Sequence, residues 1–137
     1  MLSNTVRCLL LVLTFSIPAA AQSFPPLQRQ PVLNAPVPAS NPPIKLVRGA
    51  RIHFAPKQPT GLHRHPVSTV GVVTEGSFLF QPEGEAARTL HVGDSFFEPA
   101  GKKIIHFDNA SSTEDAAIVV YYLTDSEKTP LIEMLAK

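Results

Sequence analysis

The side chains able to hold a cation or move a proton are few in this sequence, and the histidines come first. Five occur: His53, His63, His65, His91 and His106. Two of them sit in Gly61-Leu62-His63-Arg64-His65-Pro66. Residues two apart in an extended strand project from the same face, so both imidazoles can reach one point. Neutral imidazole nitrogens suit borderline divalent ions. A His-x-His pair is nevertheless a weak signal, since surface and packing pairs of this kind are common. His53 precedes Phe54 at a strand end and His91 adjoins Gly93-Asp94, and both read as exposed structural residues. No Ser, Cys or carboxylate stands beside the pair as an evident nucleophile or base.

The elements that must position the pair are strands. From Ile44 onward, short runs of Val, Ile, Thr and Phe alternate with turn residues. The runs are Lys45–Phe54, Ser68–Thr74, Ser77–Gln81, Ala87–His91, Ser95–Glu98, Ile104–Asp108 and Ala116–Leu123. Turn signals about every ten residues, with no helical period between them, predict an all-β sandwich or barrel. Only Pro130-Leu131-Ile132-Glu133-Met134-Leu135 has helical composition, and a short C-terminal helix is expected there. Val70–Val73 and Ala116–Tyr122 are apolar on both faces, whereas a strand with one wet face alternates. Something must cover the outer face, either a second copy in a homodimer or the tail helix. Tyr121 and Tyr122 face opposite ways in that last strand, and both read as packing residues.

Two blocks of sequence resemble the signatures of the cupin superfamily, of the single-domain type-2 kind. The first is Gly61-x-His63-x-His65-Pro66, a Val/Thr-rich strand and Glu75-Gly76. The second is Gly93-Asp94-Ser95-Phe96-Phe97-Glu98-Pro99-Ala100-Gly101, followed by His106 and Asn109. The resemblance spans roughly residues 44–126. It implies a double-stranded β-helix (jelly-roll) barrel, commonly dimeric, with a divalent metal inside. Two His and a Glu from the first block and a His from the second hold that metal. His63 and His65 match. Where the family has its Glu, this chain has Thr69, inward by parity but a poor ligand. Glu75 falls on the family's turn and reads as structural. The second-block His position holds Ile104, and His106 follows two residues later. A two-residue shift keeps the face, while a one-residue bulge would turn His106 outward. The expected site is therefore His63, His65 and His106, with open positions on Zn, Fe, Mn, Ni or Cu.

The N-terminal third reads as export and spacing. Arg7 precedes a short apolar run, Cys8 to Ile17, and Ala19-Ala20-Ala21 offers a cleavage site before Gln22. Residues 1–21 are expected to be a signal peptide of a secreted or periplasmic protein, 22–43 a Pro-rich flexible linker, and 44–137 the barrel. Cys8 is the only cysteine, so no disulfide can staple the mature fold. Twelve Lys and Arg face eleven Asp and Glu; losing Arg7 leaves eleven of each. With no basic cluster, charge offers nothing to nucleic acid or an anionic membrane. Asn109-Ala110-Ser111 matches a glycosylation acceptor. The function expected is binding of a small molecule in the barrel through the metal. A metal-dependent enzyme of oxygenase or isomerase type is the alternative.

Overall fold

Strand-forming runs cut by glycine turns fold as their pattern demands. The computed structural model describes residues 25–136, and the expected signal segment lies outside them. The strands are β1 (Leu46–Phe54), β2 (His63–Arg64), β3 (Thr69–Glu75), β4 (Ser77–Pro82), β5 (Arg88–His91), β6 (Ser95–Glu98), β7 (Lys103–Asn109), β8 (Ala116–Thr124) and β9 (Glu133–Met134). They form two antiparallel sheets, ordered β1-β8-β3-β6 and β5-β4-β7-β2-β9. The jelly-roll barrel is thus present. Gly76 makes the β3–β4 turn with φ +66°, where a Cβ would meet the Asp115 carbonyl at 2.7 Å.

The space between the sheets is filled largely by phenylalanine. Phe54, Phe78, Phe80, Phe96 and Phe107 are all buried. Phe107 is the hub, with ring centroids 4.8 Å from Phe96, 5.1 Å from Phe78 and 5.5 Å from Phe80. These separations fall in the range that aromatic pairs prefer. Gly71 on β3 makes room for one of these rings, because a Cβ there would sit 2.3 Å from Cζ of Phe96. Any side chain at position 71 would push the ring away.

Two expectations need correction. The C-terminal segment is a strand and not a helix: β9 pairs with β2, matching His63 to Met134 and Arg64 to Glu133. Leu135 adds a bond from its amide to the Leu62 carbonyl. Tertiary pairing overrides the helical propensity of a segment this short. Tyr121 is not a packing residue of the core; it is 45 % exposed on the outer face, opposite Val70 and Gly49. Because the tail joins the other sheet, it does not cover that face. Described residues 25–43 contain no helix or strand, as their prolines require. Their end is tied down by Asn41, whose side chain accepts from the Ser68 amide and donates to the Leu123 carbonyl.

Candidate metal centre

His63 and His65 are where strand parity puts them, inside the barrel, with 2 % and 5 % of their surfaces exposed. Their rings stand edge to face, centroids 5.1 Å apart. Each Nδ1 is taken by a backbone carbonyl: Gly61 for His63 at 2.7 Å, and Leu131 for His65. A carbonyl can only accept, so both Nδ1 atoms carry the proton and both Nε2 atoms are turned away from the backbone. Metal-bound histidines are characteristically oriented by this outer hydrogen bond.

The third member is Glu98 on β6, 3 % exposed. Its carboxylate lies 2.8 Å from Nε2 of His65. One ligand atom from each of His63, His65 and Glu98 falls within 4.8 Å of the others, and all three residues are buried. Three converging donors at that spacing fit a divalent cation with open positions. A carboxylate thus does stand beside the two imidazoles, supplied by β6 and not by β3. Glu98 is the direct cross-strand partner of Thr69, the position that lacks the family's Glu. Thr69 itself points inward and donates only to the Val67 carbonyl, at 3.3 Å.

His106 does not join them. The β4–β7 ladder pairs Gln81 with His106 but Pro82 with Ile104, so Ile105 is a bulge. One extra residue inverts the parity beyond it. Ile104 and Phe107 therefore face inward, while His106 is displaced to the outer surface. There its Nδ1 meets the Asp108 carboxylate at 2.6 Å, and its side chain is 42 % exposed. His53 and His91 are exposed, as expected. Asn109 is buried, its amide donating to Ala55 and Glu114 carbonyls and its Oδ1 accepting from the Ser111 amide, which makes the acceptor motif a turn clamp.

The sequence did carry a signal for Glu98. Ser95-Phe96-Phe97-Glu98 alternates, and Phe96 is a core candidate, so Glu98 shares its inward parity. A carboxylate at a core position demands a partner.

Electrostatics separates the two imidazoles. Burial pushes the pKa of His63 down, only partly offset by the Gly61 carbonyl and the Glu98 charge, so it is neutral at pH 7. Burial also acts to lower that of His65, but the Glu98 hydrogen bond and charge, with the Leu131 carbonyl, outweigh it and raise it above 6.5. A lone pair cannot sit 2.8 Å from a carboxylate oxygen without a compensating positive charge: a proton between the two atoms, or a cation bound by both and set to one side of them. In chelated protein the His65–Glu98 pair therefore stabilises the fold fully below pH 6.5, and the benefit fades as pH rises through the elevated value. His63 acts oppositely, costing stability as pH falls below 6.5. Thermal melts of chelated wild type and His65→Gln should converge as pH rises above 6.5; melts separated by a constant gap across that rise would contradict the assignment.

The donors open onto a cavity of about 310 Å³. Ile52, Phe54, Phe96, Phe107, Ile118 and Val120 supply an apolar wall, and Tyr122 lies beside the three donors. A family model described as a cupin domain matches residues 50–122. The chain belongs to the cupin family. All three donors and Tyr122 fall inside the matched segment. The cupin is 36 % identical over 83 residues to an (R)-mandelonitrile lyase of Granulicella tundricola, covering 61 % of this chain and 57 % of that protein. It thus spans little more than half of that relative. Among solved structures it resembles an oxalate oxidase, at 28 % identity and TM-score 0.56 over 65 % of this chain and 46 % of the other. A DMSP lyase from Ruegeria pomeroyi, at 20 % identity and TM-score 0.55 over 64 % of this chain and 42 % of the other, shares the fold.

Proposed function

We propose that this cupin binds a small molecule in its barrel through a divalent cation held by His63, His65 and Glu98. One observation carries the reading: both buried imidazoles give Nδ1 to backbone carbonyls and leave Nε2 beside a buried carboxylate. A proton alone would satisfy His65 and Glu98 but leaves the Nε2 of His63 without a purpose. When bound, the cation supplies a Lewis acid facing the apolar cavity. The residues do the rest: the two carbonyls hold the rings, Glu98 offsets one of two charges, and Phe54, Phe96 and Phe107 give the cavity an apolar side.

The test is metal analysis of purified protein after incubation with Zn²⁺ and dialysis, alongside a His63→Ala/His65→Ala variant. About one equivalent in the wild type and none in a folded variant is expected. A wild type that retains no more metal than the variant would overturn the proposal. The likeness to (R)-mandelonitrile lyase favours a second reading of the same site, a metal-dependent enzyme on a small organic substrate. Export is part of the proposal, with a mature chain starting at Gln22, as is a second copy of the chain covering the outer face of β3 and β8. That face presents Val70, Val72, Val119 and Tyr121 side by side.

A further inference from the structure

Several polar side chains line the cavity outside the cation site, and of these Gln58, Thr60 and Thr69 already bond to the protein while the Tyr122 hydroxyl does not. Tyr122 is 7 % exposed. Its ring lies 5.7 Å from that of His65, and its backbone pairs with Thr69, whose other neighbour is Glu98. Tyr122 therefore flanks the same point as the three donors. Every fully enclosed polar side-chain atom of the described residues has a hydrogen-bond partner. The phenol oxygen of Tyr122 has none among them, so it must open onto the cavity that its ring lines. A phenol held in an apolar wall without a partner costs free energy, which a ligand atom can return.

The chemistry of that ligand follows from what surrounds it. Two neutral imidazoles and one carboxylate around a dication leave a single positive charge. No Lys or Arg lines the cavity itself, and Arg48, the cross-strand partner of Tyr122, gives its guanidinium to the Glu127 and Thr129 carbonyls, so a second negative charge would have no cation in the lining. Beyond the polar Gln58, Thr60 and Thr69 and the rim residue His53, the wall is aromatic and aliphatic, and a volume of about 310 Å³ is at the small end of ligand pockets. We infer that Tyr122 is the donor that selects the ligand: its hydroxyl hydrogen-bonds a carboxylate oxygen of a small monocarboxylate whose apolar body lies against Phe96, Phe107 and Val120. A neutral molecule forgoes the charge match, and a dicarboxylate leaves one charge buried and unpaired. This inference rests on the cavity being the small-molecule site proposed above.

The composition supplies a direct readout. The protein has two tyrosines and no tryptophan, and Tyr121 stands on the outer face. Tyr121→Phe therefore makes Tyr122 the sole phenol chromophore. Zn²⁺-loaded protein is titrated with cyclohexanecarboxylate, which is transparent where tyrosine absorbs, and in parallel with oxalate. Tyr121→Phe should bind cyclohexanecarboxylate like wild type and show a tyrosine difference band that saturates with binding. Tyr122→Phe keeps the ring and should bind about tenfold more weakly, with unchanged melting temperature and zinc content, the loss expected for a hydrogen bond to a charged group. Oxalate should bind more weakly than the monocarboxylate. Equal affinity of Tyr122→Phe and wild type, binding with no difference band, or no binding by wild type each overturns the inference. Zinc content decides the cation reading separately. A chain that takes up no zinc defeats that reading, whereas a zinc-loaded chain that fails the titration defeats only the assignment of Tyr122.

Discussion

Replacing Glu98 by Gln is expected to cut divalent-cation affinity by more than about a hundredfold while the protein stays folded. Outer hydrogen-bond partners of metal ligands are worth roughly 10–100-fold, and Glu98 would be a ligand itself. The amide keeps the carboxylate's shape but loses its charge, leaving a dication in an apolar cavity with two neutral imidazoles. The informative companion is the exchange Thr69→Glu/Glu98→Thr. These positions are direct partners on β3 and β6 and both point inward. Cross-strand partners hold their Cβ atoms about 4.5–5.5 Å apart, within reach of a Glu side chain. The exchanged protein should recover most of the affinity that Glu98→Gln loses. Isothermal titration with Zn²⁺ of the three proteins measures it. Wild-type affinity in Glu98→Gln would remove the carboxylate from the site, and an exchanged protein no better than Glu98→Gln would refute the equivalence of the two positions.

The second large effect is on stability. Phe107→Ala should destabilise the fold by about 3–5 kcal/mol, the cost of deleting a buried aromatic side chain and leaving its cavity. Phe107 is 3 % exposed and touches four other phenylalanine rings, so its neighbours cannot collapse into the gap without losing their own contacts. For a domain of this size the melting temperature should fall by about 15 °C or more. His106→Ala, one residue earlier on the same strand, is the control. It removes a partly exposed contact with the Asp108 carboxylate and should cost less than about 1 kcal/mol. Paired thermal and urea unfolding of the two variants gives both numbers. Similar costs would mean that β7 does not turn at Ile105 as described.

That turn also marks where reading the sequence stops. The strands were legible because each is a run of Val, Ile, Thr or Phe closed by Gly, Pro or Asn, and β6 was placed residue for residue. His63 and His65 were legible because period-two parity survives in an uninterrupted strand. His106 was not, because nothing in Lys102-Lys103-Ile104-Ile105 announces a bulge, and a bulge inverts every face after it. Glu98 was visible in composition but not in role. Its meaning depends on Thr69 lying opposite, and pairing between distant segments is settled by tertiary register. The tail misled for a related reason: Leu131, Glu133 and Leu135 favour a helix locally, while β2 offers an unpaired edge that only the folded barrel presents.

Pairing of β9 with β2 has a consequence for the order of events during synthesis. The carbonyl that orients the His65 ring belongs to Leu131, which the ribosome adds after every other member of the site. Until it arrives, the nascent chain can hold neither a finished sheet nor a preformed ion cage. Contacts spanning so much of the chain also fold slowly, because loop closure must precede their reward. The site is thus completed only when the last strand has paired, whichever compartment that happens in.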